Sequence, residues 1–473
     1  MSNHALPLAE RIATDIKRQI ALGQLLPGSS LASLRDQAQA CGAAKNTVVK
    51  AYEMLVAEGF IEPRRGSGFY VAGRDPRLRV TDGWAPALDL ALSAVGIERH
   101  EMDVVHGKPS LGEGLPPSAW LEGCRLDRYM QKIGRSGLGT VFRYGDPAGY
   151  LPLRKNIAAR LQGFGMTVTP SQIVLTQGAY QAVDLVIRHL VRPGDHVLVD
   201  DPGFYPTFNK LRLQGAQIHG VPRTPEGPDI GVLSLLLKQY KPRLFFTQSC
   251  GHNPTGSDMT GPMVQELTEL AQRHGLVMVD DDALADFAPP RTPRIGGGDQ
   301  LEQSIYVGSF SKSLSSVVRV GFLACRPELA RELTQVKTIV SLNSSLYAER
   351  TVDAVITEGR FRKHALALRA KTRNATRAAL SLFDANGIEA FTRPEQSLYL
   401  WARLPGVEDS LPFARQMFAH GVAMAPGAIF KPDPTSRTPW FRFNVGFLGP
   451  ESAISQVIAA ASSHRRGALR AGS

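Results

Sequence analysis

Apolar residues recur at helical spacing near the start of the chain, at Leu8, Ile12, Ile16 and Ile20, and predict an amphipathic helix over residues 8–22. Gly23 ends it, and Leu26-Pro27-Gly28-Ser29 forms a turn. A second helix is expected from Ser33 and a third from about Lys45 to Glu58, separated by the tight turn Cys41-Gly42-Ala43 and closed by Gly59. Phe60-Ile61-Glu62 and Gly68-Phe69-Tyr70-Val71 read as two short strands, joined by Pro63-Arg64-Arg65-Gly66-Ser67. Three helices and a basic-tipped hairpin make the pattern of a winged helix-turn-helix.

The periodicity fades between Gly73 and Met102, where Asp75, Pro76, Arg77, Arg79 and Pro86 mark a linker with one short helix expected near Ala87–Val95. From Val104 onward, short apolar runs alternate with longer amphipathic stretches. The predicted strands are Ile173–Thr176, His196–Val199, Gln217–Val221, Leu244–Thr247, Leu276–Val279, Ser304–Val307 and Gly321–Cys325. That βαβ rhythm predicts an α/β fold with an open, mostly parallel sheet covered by helices. After Leu346 long helices give way to a smaller C-terminal α+β segment. The expected domains are residues 1–74, a linker over 75–103, and residues 104–470; there are no internal repeats.

Composition changes this picture little. Of 473 residues, 43% are hydrophobic and 21% charged, the balance of a globular protein with a large core. The four cysteines (Cys41, Cys124, Cys250 and Cys325) lie far apart and offer no metal-ligand spacing, so they read as reduced thiols and no metal is expected. No leader peptide opens the chain and no apolar run approaches the ~20 residues of a membrane helix, which makes the cytoplasm the expected compartment. The net charge of +11 favours acidic partners, but residues 1–75 hold nine Lys/Arg against seven Asp/Glu. Charge alone does not establish DNA binding.

The N-terminal motif does more. A reading head needs a helix whose first side chains reach the major groove while basic groups hold phosphates. Lys45, Asn46 and Thr47 open the expected third helix and offer one cation and two hydrogen-bonding side chains. Arg35, early in the second helix, suits a phosphate; Arg64 and Arg65 on the hairpin suit the adjacent minor groove. Taken singly, each also fits an ordinary solvated residue. Together with Leu25-Leu26-Pro27-Gly28-Ser29-Ser30-Leu31, Ser33, Val48, Ala51-Tyr52, Leu55, Glu58-Gly59 and Gly66-Ser67-Gly68, they resemble the GntR superfamily of regulators over Leu8 to Val71. Two positions depart from that pattern. Ala32 stands where proline is usual and Lys45 where arginine is usual, and lysine keeps the charge but loses the bidentate fork.

The second half carries a different chemistry. Lys312, in Gly308-Ser309-Phe310-Ser311-Lys312, follows a predicted strand, and partial burial there would keep its amine available for a Schiff base. Ser309, Ser311 and Arg319 could receive a phosphate. Gly178 and Ala179 sit where a strand ends and the helix Gln181–Leu190 opens, and small residues there let backbone N–H groups approach an anion. Asp280-Asp281-Asp282 fits a solvated turn, a metal site, or a carboxylate paired with a pyridinium nitrogen. Asn253, in Asn253-Pro254-Thr255-Gly256, could donate to a ring hydroxyl.

With Tyr144-Gly145-Asp146-Pro147-Ala148-Gly149, Leu153-Arg154, Asp201-Pro202-Gly203-Phe204 and Arg442, these stretches resemble the class I aminotransferases of fold type I across about Val104 to Ala461. The resemblance implies pyridoxal 5'-phosphate (PLP) as cofactor. Lys312 would carry the internal aldimine, Asp281 would pair with the ring nitrogen, and Asn253 would contact the ring oxygen. Gly178, Ala179, Ser309, Ser311 and Arg319 would hold the phosphate, with Tyr144 reaching it from the neighbouring subunit. Phe204, or the adjacent Tyr205, would stack on the ring, and Arg442 would grip a ligand carboxylate.

A GntR-type reader fused to such a domain is the layout of the MocR subfamily. The resemblance implies a PLP-dependent transcriptional regulator that binds double-stranded operator DNA, senses PLP or its adduct with a small amino compound, and forms a domain-swapped homodimer. One departure bears on turnover. The family usually places a tyrosine after the aspartates, whereas Ala283-Leu284-Ala285-Asp286 carries no phenol. That favours a sensor over the alternative, a PLP-dependent aminotransferase with an accessory DNA-binding domain. A third reading, a regulator that has lost PLP, is opposed by the retention of Lys312, Asp281, Asn253 and Arg319.

Overall fold

The computed structural model describes residues 7–21, 25, 28–57, 60–64, 67–71, 110–135, 144–289, 291–433, 435–449 and 453–471. They belong to two compact units, residues 1–86 and 87–473. The expected linker and its short helix near Ala87–Val95 lie outside the described residues, as do Arg65 and the Glu58-Gly59 helix end.

The first unit holds helices α1 (Leu8–Ala21), α2 (Leu34–Ala40) and α3 (Lys45–Ala57), then strands β1 (Ile61–Arg64) and β2 (Gly68–Val71). The buried stripe of α1 is Ala9, Ile12, Ala13 and Ile16, one position round from the expected one; Leu8 is 41% exposed. Small Ala9 and Ala13 let α1 approach α3, which buries Val48, Ala51, Tyr52 and Leu55. Ser33 caps α2, its side chain accepting from the Asp36 N–H. Tyr52 is fully buried, donates its hydroxyl to the Ala32 carbonyl at 2.9 Å and meets Phe69 edge-on at 5.1 Å. That contact ties the third helix to the hairpin. The segment around Ser30 runs against β2, joined to it by an isolated bridge from Ser30 to Tyr70 and by the Leu31 N–H donating to the Phe69 carbonyl. The first strand of the hairpin is shifted from expectation: Phe60 lies outside β1, while Pro63 and Arg64 belong to it, with Arg64 opposite Gly68, because the Ser67 N–H closes the turn on the Arg64 carbonyl.

The second unit is built on an eight-stranded sheet of β3 (Ile173–Thr176), β4 (His196–Asp201), β5 (Gln217–Thr224), β6 (Gly227–Pro228), β7 (Leu244–Thr247), β8 (Val277–Asp282), β9 (Ser304–Ser309) and β10 (Gly321–Ala324), in the order 3-10-9-8-7-4-5-6. Strands β4, β5, β7, β8 and β9 run parallel; β10 runs against its neighbours β3 and β9, and β6 runs against β5. The strands are apolar on both faces because both are covered. Val174, Val199 and Val307 pack with the helix Ala179–Leu190, while alternate residues such as Leu175, Tyr306 and Phe322 serve a separate core. After the long helix Arg360–Ala385 comes a four-stranded antiparallel sheet of β11 (Glu389–Ala390), β12 (Tyr399–Arg403), β13 (Ala425–Pro426) and β14 (Trp440–Asn444), in the order 11-12-14-13. This is the smaller α+β segment expected from the sequence.

The cap at Ser33 gives a direct test of the first unit. Ser33→Ala should cost about 1 kcal/mol, read as faster amide hydrogen exchange through α2, whereas Ser33→Asp should leave exchange near the wild-type rate.

Candidate functional site

The carboxyl ends of β3, β7, β8 and β9 converge on one region of the second unit, the place where open α/β sheets bind ligands. Strand alternation sorts the three aspartates there. Asp280 and Asp282 share one face of β8 and Asp281 faces the other. Asp280 accepts from the Ser249 N–H at 2.9 Å and its hydroxyl at 2.6 Å, and Asp282 is bound by Arg294 and by the Tyr306 hydroxyl at 2.8 Å. Burial and the neighbouring Asp282 push Asp280 up to about 7. The aspartates are therefore neither a solvated turn nor, among the described residues, part of a metal-ligating cluster.

Asp281 is different. It lies inside β8 rather than beyond its end, lines a cleft with Val183, Phe204, Phe246 and His252, and keeps an Oδ1 with no hydrogen-bond partner among the described residues. Burial raises it to about 6 against the pull of Lys312. A buried carboxylate oxygen without a donor is costly, so this geometry favours an N–H group placed in the cleft.

Lys312 is half-buried just past β9, and its amine donates to the Tyr399 hydroxyl at 2.9 Å. Tyr399 in turn donates to the Gly114 carbonyl at 2.7 Å. Asn253 is buried; its N–H donates to Gln248 at 2.6 Å and its Oδ1 accepts from Arg442 at 3.0 Å, which leaves the Nδ2 donor. Arg442 is also buried, bonds the Gly112 carbonyl at 2.6 Å and lies 4.7 Å from the Tyr399 ring centre.

A cluster of hydrogen-bond donors adjoins these groups. Arg319 donates to the Gln177 carbonyl at 2.9 Å and to Ser311 at 3.3 Å, and Ser309 accepts from the Ser311 N–H at 3.1 Å. Gly178, at φ +79°, precedes the helix Ala179–Leu190, whose first N–H groups have no preceding helical carbonyl to meet. A Cβ at Gly178 would stand 2.8 Å from the Arg319 guanidinium, and one on Gly321 would stand 2.5 Å from the Gly178 backbone. Only glycine fits at both positions.

Phe204 lines the Asp281 cleft, whereas Tyr205 turns to Phe430, 5.5 Å away. Tyr144 is 82% exposed and meets none of these groups. In the first unit Arg35, Lys45 and Asn46 are exposed and Thr47 half-buried at the starts of α2 and α3. Arg64 lies 4.3 Å from the Tyr70 ring centre and pairs with Glu62 at 2.9 Å. Tyr399, Gly114, Gln248 and His252 escape sequence reasoning. Tyr399 sits in Leu398-Tyr399-Leu400-Trp401, a run that reads as plain core.

Both units match known protein families. Residues 99–460 match the family "Aminotransferase class I and II", and residues 8–71 match "Bacterial regulatory proteins, gntR family". The HTH-type transcriptional regulator YdcR of Escherichia coli is 26% identical over 465 residues, 95% of this chain and 97% of its own. The probable rhizopine catabolism regulatory protein MocR of Rhizobium meliloti is 27% identical, covering 87% and 88%. Among solved structures, LysN, the α-aminoadipate aminotransferase of Thermus thermophilus complexed with N-(5'-phosphopyridoxyl)-L-leucine, superposes with a TM-score of 0.70 at 28% identity, covering 78% of this chain and 95% of that one.

The buried polar floor of the cleft makes stability depend on pH. His252 is pushed down to about 4 by burial and by the nearby Arg223 cation, against an ordinary value of 6.5. Between those values the unfolded chain takes up a proton that the folded site refuses, so this group's contribution is full above 6.5 and falls as pH drops towards 4. Denaturant unfolding at pH 7 and pH 4.5 should show wild type losing more stability than His252→Gln.

Proposed function

Because the chain belongs to the class I and II aminotransferase family and joins that fold to a gntR-type DNA-binding unit, as MocR-like regulators do, we propose that it is a transcriptional regulator whose DNA binding responds to PLP or to an adduct of PLP with a small amino compound. The observation that carries this reading is the meeting of a lysine amine, a buried carboxylate with one oxygen lacking a hydrogen-bond partner among the described residues, and a cradle of donors at Lys312, Asp281 and Gly178–Arg319. Those three groups match the aldehyde, the ring nitrogen and the phosphate of one molecule. When bound, the cofactor would supply an electrophilic aldehyde carbon within reach of the Lys312 amine and a ring that withdraws electrons.

The chain's own residues do the rest. Asp281 holds a proton on the ring nitrogen, and the Asn253 Nδ2 donates to the ring oxygen. Phe204 stacks on the ring. Ser309, Ser311, Arg319 and the N–H groups at Gly178 and Ala179 bind the phosphate. Arg442, already turned into the site, exchanges the Gly112 carbonyl for a ligand carboxylate. In the first unit Lys45, Asn46 and Thr47 read the major groove, Arg35 holds phosphate and Arg64 and Arg65 reach the minor groove of operator DNA in the cytoplasm. A homodimer, domain-swapped, covers the exposed apolar groups Tyr144, Val317 and Ile339 and brings Tyr144 to the partner's phosphate. The regulator reading is favoured over an aminotransferase with an accessory DNA-binding unit by the relatives that match across both units.

Two outcomes test the two halves. Purified protein given PLP should turn yellow, and Lys312→Ala should stay colourless; colourless wild type contradicts cofactor binding. Lys45→Ala should weaken operator binding about tenfold and reduce the salt slope by about one, with the visible spectrum unchanged. Equal affinity removes Lys45 from the reading head.

A further inference from the structure

Tyr399 is wholly buried at the start of β12, and its ring is held under the Arg442 guanidinium at 4.7 Å. A phenol has one proton to give. The Gly114 carbonyl, 2.7 Å away, has none, so Tyr399 donates there. Its lone pairs are left to face the Lys312 amine at 2.9 Å. The stretch Ala283–Asp286 after the aspartates offers no competing hydroxyl.

From this arrangement, and resting on the reading of Lys312 as the cofactor lysine, we propose that Tyr399 is the positioning residue that keeps a proton on the Lys312 nitrogen after that nitrogen is linked to the cofactor. The linked nitrogen carries at most one proton. With the proton present it donates to the phenol oxygen, and the Tyr399–Gly114 bond stays intact. Without the proton, two lone pairs face each other, or the phenol abandons the Gly114 carbonyl. Both consequences favour the protonated state. Other charges act on the same nitrogen. The Asp281 carboxylate supports the proton, while the Arg442 and Arg319 cations oppose it; His252, depressed to about 4, stays neutral at neutral pH.

The test is a pH titration of the visible spectrum of the full-length, PLP-loaded protein. Tyr399→Phe keeps the ring and removes only the hydroxyl. Its yellow form should persist, but the midpoint of its pH-dependent colour change should fall by about one pH unit relative to wild type, the size expected for one hydrogen bond to a charged group. A purely structural role would alter melting and leave the midpoint alone. An unchanged or raised midpoint overturns the proposal. If Tyr399→Phe does not fold, fluorotyrosine at position 399 retains the hydroxyl as a weaker acceptor and should shift the midpoint the same way by a smaller amount. A wild type that forms no colour overturns the cofactor reading, and this proposal with it. A coloured wild type with an unmoved variant overturns this proposal alone.

Discussion

The second unit is organised around a carboxylate that has been taken out of water and left half-satisfied. Asp281 is buried at the carboxyl end of β8, one oxygen has no donor among the described residues, and burial raises it to about 6. A buried carboxylate oxygen without a donor costs stability, and a fold retains such a group where something else compensates. The Lys312 amine offsets part of the cost through its charge. An N–H group placed in the cleft would offset the rest. Around that centre the neighbouring strands supply the remaining donors: Ser309 from β9, the Gly178 turn after β3, and Asn253 from the loop after β7.

Glycine sets how closely these parts approach. Gly178 leaves room for the Arg319 guanidinium, and Gly321 lets β10 lie against the Gly178 backbone. A methyl group at either place would push Arg319 or β10 away, so the approach of these parts is defined by missing side chains as much as by present ones.

Much of this was legible in the sequence, for physical reasons. Covered strands read as apolar runs, so β3 and β7 were found to the residue, and the helix-turn-helix followed from caps and glycines at Ser33, Gly42 and Gly68. Lys312, Asp281, Asn253, Arg319 and Gly178 are candidates from the sequence alone because each stands in a motif at or near a strand end. Less was legible where tertiary contact decides. The α1 stripe turned because Ala9 and Ala13 pack more closely than Leu8, and Arg64 joined β1 because the turn closes at Ser67. Tyr399 was hidden altogether. It is distant in sequence from Lys312, it sits in an apolar strand, and only the packing of β12 against Gly114 reveals its hydroxyl as a partner for the amine.

Covalent attachment at a single lysine is the point on which the functional account turns. Borohydride reduction of the PLP-treated protein converts a C=N bond into a stable amine, and peptide mapping by mass spectrometry then locates the label. The account predicts one phosphopyridoxyl group per chain, on the peptide that contains Lys312. A label on another lysine, or none, contradicts it.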